Sequence, residues 1–145
     1  MTEHLIVTHE ALDIAAFTQL VTDAPYGAVA SFLGTVRSPN KGGTVLYIDY
    51  EGYDSMIKTQ MKVLARELRE RYELGNVLLA HRLGRMKAGE ASIAIVISSK
   101  HRKEALSACH DAIYRAKELL PVWKHEVTES GSVWVEGSSV ASKPL

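Results

Sequence analysis

Residues 98–126 read SSKHRKEALSACHDAIYRAKELLPVWKHE, and the order of physical signals along them decides the fold. Two serines close the apolar run Ile93 to Ile97. A long segment follows with Ala105, Leu106, Cys109, Ala112, Ile113, Ala116 and Leu120 on one stripe at helical spacing. Pro121 ends it, because proline disfavours helical geometry in the residue before it. Val122-Trp-Lys-His-Glu126 then alternates, with Lys124 and Glu126 on one face and Trp123 and His125 on the other. The prediction is strand, helix over 100–120, strand over 122–128. Between Lys100 and His125 six Lys or Arg stand against three acids, so this segment is net +3 in a chain of formal net charge 0. A local excess of this kind fits a small anionic ligand.

Outward from this unit, alternation and helical spacing predict strands at 3–8, 27–36 and 44–51, and helices at 13–22, N-capped by Asp13, and 53–73. In the strand at 44–51, Val45, Tyr47, Asp49 and Glu51 are expected on one face and Leu46, Ile48 and Tyr50 on the other. Strands at 76–84 and 91–99, either side of Lys87-Ala-Gly-Glu90, read as a hairpin. A strand at 132–136 closes the domain. Ser38 to Gly43, dense in turn residues, reads as a mobile loop, and residues 137–145 as a flexible tail. Helices separated by hairpins give an α+β fold, a mostly antiparallel sheet packed with about three helices. A single domain over 1–136, followed by that tail, accounts for the 145 residues.

Composition excludes several function classes. A pI near 7.0 argues against a nucleic-acid-binding domain, which shows a high pI and a basic face. The most apolar strand is far shorter than the 20 or so residues of a membrane span. Nothing at the amino terminus reads as a signal peptide, and the lone Cys109 agrees with a reducing compartment. A soluble, cytoplasmic protein is expected. Cys109, on the apolar stripe, reads as a small buried hydrophobe rather than a nucleophile. The six histidines are scattered without metal-binding spacing.

The candidate site residues are cationic. Lys117 lies near the edge of the apolar stripe, where a lysine either snorkels to solvent or, with partial burial and cationic neighbours, acquires a lowered pKa suited to proton transfer. Lys124 approaches the same cavity if the helix packs back on its strand, with Glu126 available to hold or polarise a lysine. His101 and Arg102 fall in the first turn of the helix, with Ser98 or Ser99 as cap, as an anion clamp or as a solvated helix start. Arg37 ends one strand where the glycine loop begins.

Several separated motifs, in order, are similar to those of the large, catalytic subunit of molybdopterin synthase. They are Gly27-Ala-Val-Ala-Ser-Phe-Leu-Gly-Thr-Val-Arg37, Tyr50-Glu-Gly-Tyr53, His81-Arg-Leu-Gly84 and Ser99-Lys-His-Arg102. Tyr114-Arg-Ala-Lys117, Pro121-Val-Trp-Lys124-His-Glu126 and Trp134-Val-Glu136 complete the set. The resemblance implies a hammerhead-like fold with a β-rich subdomain. It also implies conversion of cyclic pyranopterin monophosphate to molybdopterin, each of the two dithiolene sulfurs arriving as a C-terminal thiocarboxylate on a small ubiquitin-like sulfur-carrier subunit ending in Gly-Gly. The chain then needs no cofactor and no catalytic cysteine of its own. By the same resemblance Lys117 and Lys124 are catalytic, and Arg37, His101 and Arg102 bind the substrate. Phe32 lines the pocket, a core aromatic being the alternative, and the His-Arg pair comes from the other protomer of a homodimer within a heterotetramer. Two positions depart from the pattern: Gly137 or Ser138 stands where an arginine is expected, and Ile113 replaces a pocket methionine. A noncatalytic module that binds a ubiquitin-like tail or an anionic metabolite is the rival expectation.

Overall fold

Two central strands of the fold are buried at most positions, the signature of strands covered on both faces. They are β4 (Val77–Arg82) and β6 (Ala91–Ser99), in a computed structural model that describes residues 1–136. With β1 (Glu3–Thr8) and β2 (Ala28–Thr35) they form a sheet of order β1-β4-β6-β2, in which only the β1–β4 pair is parallel. Helices α2 (Asp54–Arg71) and α3 (Arg102–Leu119) cover one face, burying Ile57, Met61, Leu64 and Leu68 against Val77, Leu79, Ile95 and Ile97. Helix α1 (Ile14–Val21) covers the other with Phe17 and Val21 against Leu78, Ala80, Ala94 and Val96. Asp13 caps α1, its carboxylate accepting from the Ala16 N–H at 3.1 Å, as expected.

The second sheet, order β5-β3-β7-β8, is wholly antiparallel and joins β5 (Gly84–Met86), β3 (Val45–Glu51), β7 (Trp123–Thr128) and β8 (Gly131–Glu136). The α+β class therefore holds, with one mostly antiparallel sheet packed by the three helices and the second sheet as the β-rich part. β4 and β6 pair as the hairpin reading requires, from Val77↔Ile97 to His81↔Ile93. Between them, however, Gly84 adopts φ +102°, a left-handed conformation that favours glycine, and the chain leaves the first sheet to pair β5 with β3. The expected faces of β3 also change: the register shifts between Val45 and Tyr47, so Val45 is buried with Ile48 while Leu46 is 51% exposed. A bulge inserts one residue and exchanges the faces beyond it. The tail at 137–145 lies outside the described residues.

On α3 the buried face is centred on Ala105, Ala108, Ala112 and Ala116, with Cys109 beside them. Leu106, expected on this stripe, is 60% exposed. Small side chains let the helix lie close against β2 and β6, whereas a leucine would hold it away. Replacing Ala112, which has no exposed surface, with Leu is expected to cost about 1–3 kcal/mol by overpacking, measured by chemical denaturation.

Candidate functional site: a cationic cavity at the end of helix α3

Lys117 sits in the last turn of α3 and is exposed, about 40° round the helix from Ile113. The chain turns at Pro121, and β7 brings Lys124 back across from Tyr50 of β3. Two cavities open here. The larger, about 860 Å³, is lined by Arg37, Asn40 and Lys41, by Glu126 and by Val133 and Val135 of β8. The smaller, about 300 Å³, is lined by Phe32, Ile113, His81, Ser92 and other side chains. Thr35, Tyr50, Lys117 and Lys124 line both, so the two lysines stand where the cavities meet.

Burial differs sharply among these groups. Lys124 is half-buried, and desolvation pulls its pKa below the ordinary lysine value; Glu126 opposes the shift, while Lys117 and Arg37 add to it. A lowered pKa makes the ammonium a better acid and leaves more free amine near neutrality. Tyr50 moves the other way, raised first by burial and further by Glu126, with the Ser92 hydroxyl opposing, so its phenol stays a neutral donor. His81, buried in the floor of the smaller cavity, is pulled down to about 4 by desolvation. Its Nδ1 lies 2.9 Å from the Arg82 carbonyl, which can only accept, so Nδ1 carries the hydrogen and Nε2 is left as an acceptor. The Tyr50 ring meets it edge-on, with centroids 5.6 Å apart.

Glu126 is 7% exposed. It makes no ion pair with either lysine and instead accepts a 2.7 Å hydrogen bond from the Asn40 amide. Of the two expected roles, holding or polarising a lysine, the geometry leaves the second, a field effect on Lys124. Asn40 belongs to the loop read as mobile, which is tied at several points. Asn40 and Gly43 exchange two backbone bonds of 2.9 Å, Ser38 Oγ accepts from the Val45 N–H, and the Ser130 hydroxyl donates to the Gly42 carbonyl. The loop thus forms a fixed wall of the larger cavity and brings Lys41 to its lip.

Five of the seven residues singled out in the sequence converge. Arg37, Lys117, Lys124 and Glu126 line the larger cavity, and Phe32 the smaller. His101 and Arg102 do not: both are exposed at the opposite end of α3, about 24 Å along the helix from Lys117. His101 occupies the N-cap position without a side-chain cap bond. The Ser99 hydroxyl accepts from the Ala105 N–H at 3.0 Å instead. Cys109 is buried and its thiol is pushed up to about 11 by desolvation, the opposite of what a nucleophile needs. Ile113, in the methionine position, lines the smaller cavity.

Sequence reasoning missed Asn40, Lys41, Tyr50 and His81. Tyr50 was recoverable from the alternation that places it on the inner face of β3. Asn40 carried no local signal, since its carboxylate partner lies 86 residues away.

Comparison with known proteins gives this geometry a family. A sequence profile of the MoaE protein family matches residues 7–119. The molybdopterin synthase catalytic subunit of Pyrococcus abyssi is 38% identical over 133 residues, covering 92% of this chain and 90% of its own. The X-ray structure of molybdopterin synthase from Staphylococcus aureus superposes with TM-score 0.83 at 31% identity, covering 91% of this chain and 95% of that one. A solved complex of subunits 1 and 2 of the molybdopterin-converting factor from Helicobacter pylori superposes with TM-score 0.72 at 23% identity, covering 99% of this chain and 94% of that one, a likeness of fold. The chain belongs to the MoaE protein family, the family of molybdopterin synthase catalytic subunits.

Proposed function

We propose that this chain catalyses dithiolene formation on cyclic pyranopterin monophosphate, taking the two sulfurs one at a time from two C-terminal thiocarboxylates of a small ubiquitin-like subunit, each left as a carboxylate. The observation that carries the reading is the pair of lysines at the junction of the two cavities, one of them half-buried with a lowered pKa. Opening a cyclic phosphate and displacing sulfur from an acyl carbon both develop negative charge on oxygen. Fixed cations in a partly sheltered cavity stabilise that charge without reorganising at the moment of reaction. The nucleophilic sulfur belongs to the partner, in keeping with a chain whose one thiol is buried and held protonated. No resident cofactor is required on this reading.

The Helicobacter pylori relative was solved as a complex of two subunits, which supports a small partner for this chain. The Gly-Gly tail of such a partner would enter the cavity beside Lys117 and Lys124, with Arg37 taking the substrate phosphate. His101 and Arg102, remote from their own cavity, would serve that of a second protomer, within a heterotetramer of two large and two small subunits. A lone buried cysteine supports a reducing, cytoplasmic setting, and no helix among the described residues is long and apolar enough to cross a membrane.

The test is reconstitution. Purified chain, thiocarboxylated small subunit and cyclic pyranopterin monophosphate should yield dithiolene product, and absence of product with all three present would overturn the assignment. In the same assay Cys109→Ala is expected to retain activity within about twofold, since a buried thiol replaced by alanine loses little more than packing.

A further inference from the structure

Asn40 bridges two groups of opposite charge. Its Nδ2 donates to Glu126 Oε1 at 2.7 Å, and its Oδ1 accepts from Arg37 Nη2 at 3.4 Å. The partners fix the amide's orientation, because a carboxylate requires a donor and a guanidinium an acceptor. Aspartate would have nothing to donate to Glu126. The Asn40 backbone is held in turn by its two bonds to Gly43, so the side chain is a fixed post rather than a passing contact.

Glu126 and Lys124 lie two residues apart on β7 and so share one face of the sheet, both lining the larger cavity. A buried carboxylate lacking its donor seeks the nearest cation, since an unpaired charge in a partly desolvated site is costly. The nearest on its own strand face is Lys124. We propose that Asn40 is a positioning residue: by engaging Glu126 it prevents a Glu126–Lys124 ion pair, and by accepting from Arg37 it aims the guanidinium into the cavity. The titration of Lys124 is then set by all the groups that face it. These are Tyr50 and Glu126 from the second sheet, Lys117 from α3, Arg37 and Lys41 from the strand end and loop, and neutral His81 from β4. Among them only Glu126 opposes the lowering of the Lys124 pKa, and Asn40 controls how close it comes.

The inference rests on the proposed sulfur transfer for its importance, but its test does not. The Lys124 side-chain resonances are titrated by NMR in the isolated protein, assigned by their loss in Lys124→Arg. In Asn40→Ala the Lys124 pKa is expected to rise by about 0.5–1 unit as Glu126 swings toward it. In Asn40→Ala/Glu126→Gln the rise is expected to vanish. Should the alanine variant fail to fold by circular dichroism, Asn40→Ser, too short to bridge, takes its place. In the reconstituted assay the pH–rate limb governed by Lys124 moves up with its pKa, whichever protonation state works. KM for the cyclic phosphate rises about threefold to tenfold as Arg37 loses its acceptor. A folded variant with an unmoved Lys124 titration overturns the proposal, as does a shift that persists when Glu126 is Gln. Absence of dithiolene formation by the wild-type protein would overturn the proposed reaction and leave the titration result standing.

Discussion

Lys124→Ala lowers dithiolene formation in the reconstituted system by about 10²–10⁴-fold, the range for loss of a positioned proton-transfer group. Lys117→Ala falls in the same range. If the two lysines act as a unit on one developing charge, the double variant is scarcely worse than the poorer single one, because groups that share a step are not additive. Lys124→Arg separates two roles: arginine supplies charge but does not deprotonate near neutral pH. A role in charge stabilisation predicts partial activity for it, and a role in proton transfer predicts a loss as deep as that of alanine. Stability distinguishes both from a structural effect. In the folded chain Lys124 binds its proton more weakly than in the unfolded chain. Folding is therefore opposed fully at pH values below the folded pKa, and the penalty fades as pH rises through the folded and then the unfolded value. Removing the ammonium relieves that penalty at neutral pH, so Lys124→Ala should lose activity while its Tm stays level or rises. A parallel fall in Tm and activity would count against the catalytic assignment, and undiminished activity would favour a module that merely binds an anionic tail.

The parts of this site that sequence revealed are those fixed by chain order. Pro121 ends α3, and with the helix packed back on the alternating strand that follows, Lys117 and Lys124 meet. What escaped depends on side-chain size or on partners remote in sequence. Leu106 and Ala105 look alike to a hydrophobic stripe, yet close packing of α3 on the sheet admits only the alanines, and the buried face turns toward them. The bulge at Val45 moved it to the face of Ile48, a shift that strict alternation has no means of registering. A positive φ at Gly84 divided one expected strand between two sheets. The Asn40–Glu126 bond joins two ends of the fold, and neither residue alone signals the other.

Mixing two inactive proteins restores activity if the cavity is shared. His101→Ala/Arg102→Ala keeps both lysines, and Lys117→Ala keeps the His-Arg pair. In a two-fold dimer exchanged to equilibrium, half the molecules carry one protomer of each kind. Each such dimer holds one intact cavity and one doubly defective, so recovery approaches about one quarter of the wild-type rate. On a shared cavity the route would run along β2. β2 pairs with the end of β6 at Ala28↔Ser99, beside His101, and seven residues later Thr35 lines both cavities. β2 is also an edge strand of its sheet, with Val29 38% and Leu33 39% exposed. A second copy running antiparallel past that edge would carry its His-Arg pair from the far end of its own β2 to the first copy's cavity. The distance that removes His101 and Arg102 from their own lysines, about 24 Å along α3, is then the distance that delivers them to the partner's. Native mass spectrometry of differently tagged protomers checks that exchange has occurred. Recovery in exchanged but not in freshly mixed samples supports the shared cavity. No recovery after complete exchange assigns the pair to some other task, and high activity in His101→Ala/Arg102→Ala alone removes it from the reaction altogether.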